Sequence, residues 1–304
     1  MIDNTHLLEM MICPACRAKL MSLRQCDSCH AQFAETDGIP AIFQTGVSRT
    51  VAFQFSPDRA VVGDDFRKSF NYPARSGALL GDSPYHLDRA HEDVIAALPL
   101  GSTILEIGCG GGQMREHIQS KGHRYVGIDI STSRVGDNLL RGGPDVLCDA
   151  HFLPFADQSF DMIYTTAVTE HLACPYLVAQ EIFRGLKPGG KYLGNMSFLE
   201  PWHDDSFFHM TPLGVFETLT QAKFAVSSIW PGRGYSGFTA ILSMGGKVTR
   251  PLVLLGRALY FVYRWGNKFR NLARGRKNWS EDRIEDAARV SGATDWIATR
   301  PLGA

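Results

Sequence analysis

The chain has 304 residues, and its 31 basic and 31 acidic side chains leave no formal net charge. No global field therefore marks it for nucleic acid, although a balanced total can hide local segregation. With 44% hydrophobic residues it can bury a full core, and one large domain with appendages fits that length best.

The chain starts MIDNTHLLEM, without the basic and long apolar regions of a secretory signal, and holds no uncharged apolar run of about eighteen residues. A cytoplasmic, non-spanning protein is expected. Residues 1–43 come first and are rich in cysteine. Cys13-Pro-Ala-Cys16, nine residues, then Cys26-Asp-Ser-Cys29 make two knuckles whose thiolates can meet at a tetrahedral Zn2+, with His30 as the alternative to Cys29. Four ligands close the coordination shell. Such a metal is structural, supplying folding energy that about thirty residues cannot draw from a core of their own. This cysteine usage also suits a reducing compartment better than disulfides do. Residues 44–84 follow as a polar linker with scattered Phe and Tyr, expected to be partly helical and to lie across its neighbour.

From His86 the pattern becomes regular. DRAHEDVIAAL is amphipathic at helical spacing, and TILEIG, YVGIDI, DVLCDA, FDMIYTT and KYLGNMSF have the composition of strands. KFAVSSIW and YSGFTAILSM look like further strand material, and DWIATRPL supplies a last short strand. Alternation of this kind predicts a parallel sheet with helices on both faces and a ligand beyond the carboxyl ends of its strands. The resulting domain, residues 85–246 and 293–304, is interrupted by an insertion over 247–292. Between Lys247 and Lys277 that insertion holds nine Lys or Arg and no Asp or Glu.

The run ILEIGCGGGQ turns a strand through Gly108, Gly110, Gly111 and Gly112 into a helix, which brings backbone N–H groups close to a ligand. A dinucleotide turn needs G-x-G-x-x-G, but counting from Gly108 places Gln113 at the third glycine. The acid Glu106 at the strand end would repel a pyrophosphate and attract an ammonium or sulfonium group. Asp129, ending the next strand, can accept both hydroxyls of a ribose. Asp149 can take an adenine amino group, with Ala150 and Phe152 walling the ring.

LEIGCGGG, GIDIS, DAHFLPFADQSFDMIY, TEHL and RGLKPGGKY, in that order, resemble class I S-adenosylmethionine-dependent methyltransferases, in particular the large type 11 group, over roughly Tyr85 to Ser197. The resemblance implies an α/β, Rossmann-like seven-stranded sheet, parallel with an antiparallel last strand, preceded by a small zinc ribbon. FAETDGIPAIF is similar to the tail of the ribbons that stand before several methyltransferases. Carried over by position, Glu106, Gly108, Gly110 and Gly112 fall to the methionine end of S-adenosylmethionine, Asp129 to its ribose, and Asp149 with Ala150 to its adenine. Thr166 lies beside the cofactor, and His171 in TEHL takes a structural role.

A hydroxyl acceptor benefits from a general base near neutral pH, for which histidine is suited. FLEPWHDDSFFHMTPLG concentrates Glu200, Trp202, His203, Asp204, Asp205 and His209 among aromatics, and resembles the acceptor loops of methyltransferases acting on sugars and glycans. His209 is the expected base, or His203 with an acid orienting it. His86, His91, His117 and His123 are expected at the surface or in the linker, and Cys109, Cys148 and Cys174 as packing residues.

PLVLLGRALYFVYRWGNKFRNLARGRK is too short in its apolar part to span a bilayer, and Arg257, Arg264 and Lys268 fall on one helix face. It can lie on the inner face of a membrane through residues 247–277, with Tyr260, Tyr263 and Trp265 at headgroup depth. A helix packed on the catalytic domain or on a dimer partner, and a site for a polyanionic acceptor, remain alternatives. The leading function is O-methylation of a sugar or related small molecule, on a lipid-linked or cell-surface glycan. The runner-up is methylation of an RNA base, since zinc-ribbon enzymes acting on ribosomal guanine share this layout, but net neutrality weighs against it. A non-catalytic recruiting protein would need a ruined cofactor site, and the motifs are intact.

Overall fold

A computed structural model describes residues 4–43, 46, 48–53, 63–77, 87–133, 142–232, 235–276 and 284–303. Tyr85 and His86, at the expected start of the large domain, lie outside them. Helix α1 (Asn4–Met10) leads into the two cysteine knuckles and a short hairpin, β1 (Ala34–Thr36) and β2 (Ile39–Ala41). Thr36 faces Ile39 across Asp37 and Gly38, both at positive φ, which is the two-residue turn that Asp-Gly favours because its twist matches that of the strands.

The linker contributes α2 (Asp64–Ser69), which docks where Ser69 Oγ donates to the Val226 carbonyl (3.0 Å) and the Phe66 ring meets Phe216. In its segment 48–53, Arg49 pairs with Glu181 and stands over the Phe152 ring, and Phe53 meets Tyr176 edge-on. Then α3 (Arg89–Ala97) is opened by Asp88, whose side chain accepts from Ala90 N at 2.8 Å.

The alternating part is β3 (Thr103–Ile107), α4 (Arg115–Ser120), β4 (Arg124–Asp129), β5 (Val146–Leu147), β6 (Phe160–Thr165), α5 (Pro175–Gly185) and β7 (Leu186–Ser197). After it come α6 (Pro212–Gln221), β8 (Ala225–Pro231), α7 (Gly237–Met244), α8 (Val253–Ala273), α9 (Ile284–Ala288) and β9 (Ala293–Thr299).

Among the described residues one sheet holds every strand, in the order β1-β2-β5-β4-β3-β6-β7-β9-β8. Strands β5, β4, β3, β6 and β7 run parallel, and β9 is antiparallel to both β7 and β8. These seven are the strands expected from the sequence, but the sheet has nine. The ribbon hairpin adds β2 beside β5, with Ala41 opposite Leu147, and so covers an edge that would otherwise expose unpaired backbone groups. YSGFTAILSM also departs from expectation, forming α7 rather than a strand. Ser236 Oγ caps Thr239 N (3.3 Å), and Gly237, Thr239 and Ala240 bury on one side.

Each face of the sheet carries a core. On one, Leu7, Met11, Phe33 and Ile42 of the ribbon pack in a single cluster with Val146, Phe155, Ile128 and Trp296. On the other, Ile95 of α3 and Ile118 of α4 cover Ile104, Met162 and Tyr164. Two histidines expected outside are inside. His91 is fully buried because its Nδ1 caps the Asp88 N–H (3.3 Å) and its Nε2 meets the Trp296 carbonyl (3.1 Å), and that burial pushes its pKa down to about 4. His123 is buried against the Ile95 carbonyl.

Between β8 and β9 the chain leaves the sheet. Helix α8, about 30 Å long at 1.5 Å per residue, buries only Gly256 and Asn271. Gly256 sits where a Cβ would lie 2.8 Å from the Phe238 carbonyl of α7, so only glycine lets the two backbones approach. Tyr263, expected at an outer surface, instead donates its hydroxyl to the Asp286 carbonyl of α9 (3.0 Å) and so belongs to the inner side. The outer side is apolar: Leu254, Phe261, Val262, Trp265 and Phe269 are all exposed. Among the described residues, no helix is long and apolar enough to cross a membrane.

Candidate active site

The turn after β3 is built on glycines at positive φ: Gly108 (72°), Gly110 (51°) and Gly112 (73°). Gly108 is further confined, because a Cβ there would stand 2.2 Å from Val168 Cγ2. The amides of Gly108 and Cys109 donate to the Ile128 carbonyl, Gly112 to the Cys109 carbonyl, and Gly110 to Asp129 Oδ2 (2.9 Å). These four donors are spent inside the protein, which leaves them unfit to grip a pyrophosphate.

Acids surround the turn. Asp129, at the end of β4, also accepts from Ile130 N (2.7 Å), so one carboxylate braces both the glycine turn and its own loop. Asp149 caps the short 3-10 turn Ala150–Phe152 through His151 N (2.9 Å) and meets His151 Nδ1 at 2.6 Å. Burial opposes ionisation of Asp149, but these two bonds from His151 prevail and hold its pKa below the ordinary carboxylate value. The other ring nitrogen of His151 accepts from Cys174 N (3.0 Å), which assigns the proton on Nδ1 to the Asp149 side. Ala150 and Thr166 are buried at the same end of the sheet.

Glu106 differs from expectation. It lies buried beneath the turn and accepts the Tyr125 hydroxyl, and burial pushes its pKa up to about 8 against the opposing pull of Tyr125, Tyr164 and Arg115. At neutral pH its carboxyl is protonated, and only a nearby cation would favour the anion. Arg115 is engaged elsewhere: it pairs with buried Asp145 (3.0 Å), and its guanidinium stands over the Tyr125 ring.

The loop after β7 folds back onto the end of β6. Val168, which touches Gly108, precedes a 3-10 turn Thr169–His171, and the Glu170 carbonyl accepts the amides of Phe207 (2.7 Å) and Phe208 (3.1 Å). His203 is thereby stacked edge-on to His171 (centroids 5.4 Å apart) and lies 5.7 Å from His209. Ser197, the last residue of β7, bridges Glu170 Oε1 and Glu200 Oε2, each at 2.7 Å. One hydroxyl has one proton, so one of these carboxyls supplies the other. Glu200 is the suitable donor, since burial raises its pKa and Glu170 adds to the effect. His209 has its pKa lowered, by burial first and by His203 second, and its Nε2 stands 3.3 Å from Ser206 Oγ. Trp202 is exposed, and Asp204 and Asp205 form a turn at positive φ.

In the ribbon the Sγ atoms of Cys13, Cys16, Cys26 and Cys29 all lie within 4.8 Å of one another, with Cys13–Cys29 and Cys16–Cys26 both 3.6 Å apart. Thiolates about 2.3 Å from a tetrahedral zinc would stand about 3.8 Å apart. Cys109 and Cys148 are buried in the cores, and Cys174 is partly buried ahead of α5.

Residues 105–194, which span the glycine turn, both ligand-side aspartates and the histidine turn, match the family described as a methyltransferase domain. Over these residues the chain carries a methyltransferase domain. The methyltransferase domain is 37% identical over 139 residues to 24-methylenesterol C-methyltransferase 2 of Oryza sativa subsp. japonica, covering 41% of this chain and 37% of that protein. It is also 36% identical over 99 residues to the 2-methyl-6-phytyl-1,4-hydroquinone methyltransferase of a Synechocystis species, covering 31% of each. The chain thus spans about a third to a half of the length of the curated relatives it matches. Among solved structures it is similar to phosphoethanolamine N-methyltransferase 2 of Haemonchus contortus in complex with S-adenosyl-L-methionine, with 19% identity, a TM-score of 0.46 and coverage of 70% of this chain and 51% of that one.

Of the residues singled out in the sequence, the glycine turn, Asp129, Asp149, Ala150 and Thr166 meet at the carboxyl end of the sheet, and His203 meets His209 beside them. Glu170 and His151 were not singled out. The only trace of Glu170 in the sequence is its place before His171, whereas His151 follows Asp149 by two residues, a spacing at which a side chain readily caps its neighbour.

Proposed function

We propose that the protein transfers the methyl group of S-adenosylmethionine to a hydroxyl oxygen of a sugar or related small molecule carried on a lipid. Asp129 would take the ribose hydroxyls, Asp149 the adenine amino group against Ala150 and Thr166, and the turn at Gly108, Gly110 and Gly112 the methionine end, with the ligand's cationic charge favouring the ionised form of Glu106. The spent amides of the turn support a cofactor recognised by carboxylates. The four cysteines would hold a structural Zn2+.

The single observation behind the acceptor side is His209. Its lowered pKa keeps the imidazole neutral near pH 7, on a loop that is hydrogen-bonded to the turn touching Gly108. In the transfer the acceptor oxygen forms its bond to the methyl carbon as the bond to sulfur breaks, His209 takes the hydroxyl proton, and S-adenosylhomocysteine leaves uncharged. Alignment and exclusion of water supply most of the rate, and the base adds about 10²–10⁴-fold. A lipid-linked acceptor is favoured by the exposed apolar side of α8 and by the absence of acidic residues from 247–277, which suit the surface of an anionic membrane. The curated relatives named for sterol and phytyl-hydroquinone substrates are consistent with an apolar acceptor.

Calorimetric titration should give heat with S-adenosylmethionine and none with NAD, and labelled methyl should pass into the lipid-linked glycan fraction of a cell extract. His209→Asn should lower kcat by the factor above while cofactor binding persists. Heat with NAD alone would end the assignment, and salt-sensitive binding of ribosomal RNA with label in its bases would replace the acceptor.

A further inference from the structure

We propose that Glu170, His171 and His203 bind a divalent first-row transition-metal ion at a second site, separate from the four cysteines. One ligand atom from each of the three residues lies within 4.8 Å of the other two. An ion with bonds of about 2.0–2.2 Å spans at most about 4.4 Å between opposite ligands, so small side-chain movements close the set.

Each of the three is prepared for the task. Glu170 is 1% exposed, and Ser197 holds its Oε1, while Oε2 is buried with no hydrogen-bond partner among the described residues. A carboxylate oxygen buried without a partner is costly, and a cation is the partner that removes the cost most completely. His171 Nδ1 is likewise buried and without a partner among the described residues. His203 donates through Nδ1 to the Pro201 carbonyl (2.9 Å), which fixes its tautomer and leaves the Nε2 lone pair outward from that bond. Nε2 is also the atom 3.8 Å from Glu200 Oε2, which places a second carboxyl just outside the set.

Two imidazoles and one carboxylate suit zinc, iron or cobalt rather than calcium or magnesium, which prefer all-oxygen shells. Three protein ligands leave a coordination position open, unlike the closed four-thiolate site. The ribbon and this cluster therefore differ in ligand chemistry as well as in place. The use of that open position rests on the hydroxyl-acceptor reading: an acceptor oxygen bound there would lose its proton more readily, to His209, before taking the methyl group. Metal binding itself does not depend on that reading.

Elemental analysis of the purified full chain, dialysed with excess Zn2+ and then against metal-free buffer, should find two zinc ions per chain. His203→Ala and His171→Gln should each lower this to one while circular dichroism stays unchanged. With Co2+ in place of Zn2+, the four-cysteine site should give thiolate charge-transfer and intense visible bands, the second ion should add a weaker visible contribution, and His203→Ala should lose only that added contribution. A wild-type chain that retains one ion, or variants that retain two, would overturn the site. Two ions in a chain that methylates no hydroxyl would leave the site standing and remove only the acceptor reading.

Discussion

The N-terminal ribbon and helix α8 are both additions to one sheet, and they place their apolar surface in opposite ways. The ribbon inserts Leu7, Met11, Phe33 and Ile42 into the core beneath β5 and extends the sheet by two strands, while Arg17 reaches Asp157 at its rim (2.7 Å). Helix α8 meets its support through Gly256, Tyr263 and Asn271 and turns its leucines, Phe261 and Trp265 toward solvent. Lost apolar exposure accounts for the first arrangement, at about 25 cal/mol per Å2. The second forgoes that gain, and an apolar face left outside a folded chain usually serves a contact with something else.

The comparison can be broken most decisively at the four cysteines, where the structural Zn2+ proposed above would sit. Cys26→Ser, or strong chelation, should withdraw binding free energy on the order of 10 kcal/mol from the ribbon and unfold it, exposing the edge of β5. Hydrogen exchange at Ile42, whose amide donates to the Leu147 carbonyl, would rise sharply, while amides of α8 should not respond. A group belonging to neither region sets an internal scale. Glu106, with its pKa raised by burial from 4.5 to about 8, stabilises the fold most in acid and loses that contribution as pH rises from about 4.5 to about 8, a change on the order of 5 kcal/mol. Urea unfolding at pH 5 and pH 8.5 should give a steeper pH dependence for the wild type than for Glu106→Gln. If both behave alike, the buried carboxyl is not neutral at low pH and the site beneath the turn has been misjudged. Next in size, Gly256→Leu should lower stability by about 1–3 kcal/mol through overpacking against Phe238, and proteolysis should then start in α8 while the ribbon stays intact.

How much of this was legible in the sequence depends on the range of the contact that decides each feature. The glycine turn and Asp129 are local: positive φ needs glycine, and a carboxylate ending a strand needs only the strand's register. The two cysteine knuckles are local in the same sense. Helix α7 was misassigned because Phe238, Thr239 and Ile241 are residues that strands also favour, and only the Ser236 cap and the tertiary burial distinguish the two. His91 was placed outside because nothing near it in sequence announces Trp296, which lies 205 positions away. The joining of Glu170 to Ser197 and Glu200 spans 27 and 30 positions, and arises from a loop that returns after β7. Likewise the joining of the ribbon hairpin to the sheet rests on a pairing between residues 41 and 147, which are more than a hundred positions apart, as the sequence shows.

The smallest effect on the fold tests the purpose of the outward face. Phe261→Asp combined with Leu254→Asp changes two exposed side chains of a helix whose buried contacts lie elsewhere, so stability should move by no more than about 0.5 kcal/mol. Binding to vesicles of anionic phospholipid should nevertheless fall steeply, because each aspartate removes apolar contact and places a negative charge against a negative surface. Neutral vesicles should bind the wild type more weakly, since Arg257, Arg264 and Lys268 each contribute about 1 kcal/mol only where the lipid is anionic. A large loss of stability in the double variant would mean that the face packs against the protein itself, within one copy or between two, and sedimentation would then distinguish self-association from internal packing. Equal vesicle binding by variant and wild type would remove the membrane from the account and leave α8 as an ordinary surface helix, ending its contrast with the ribbon.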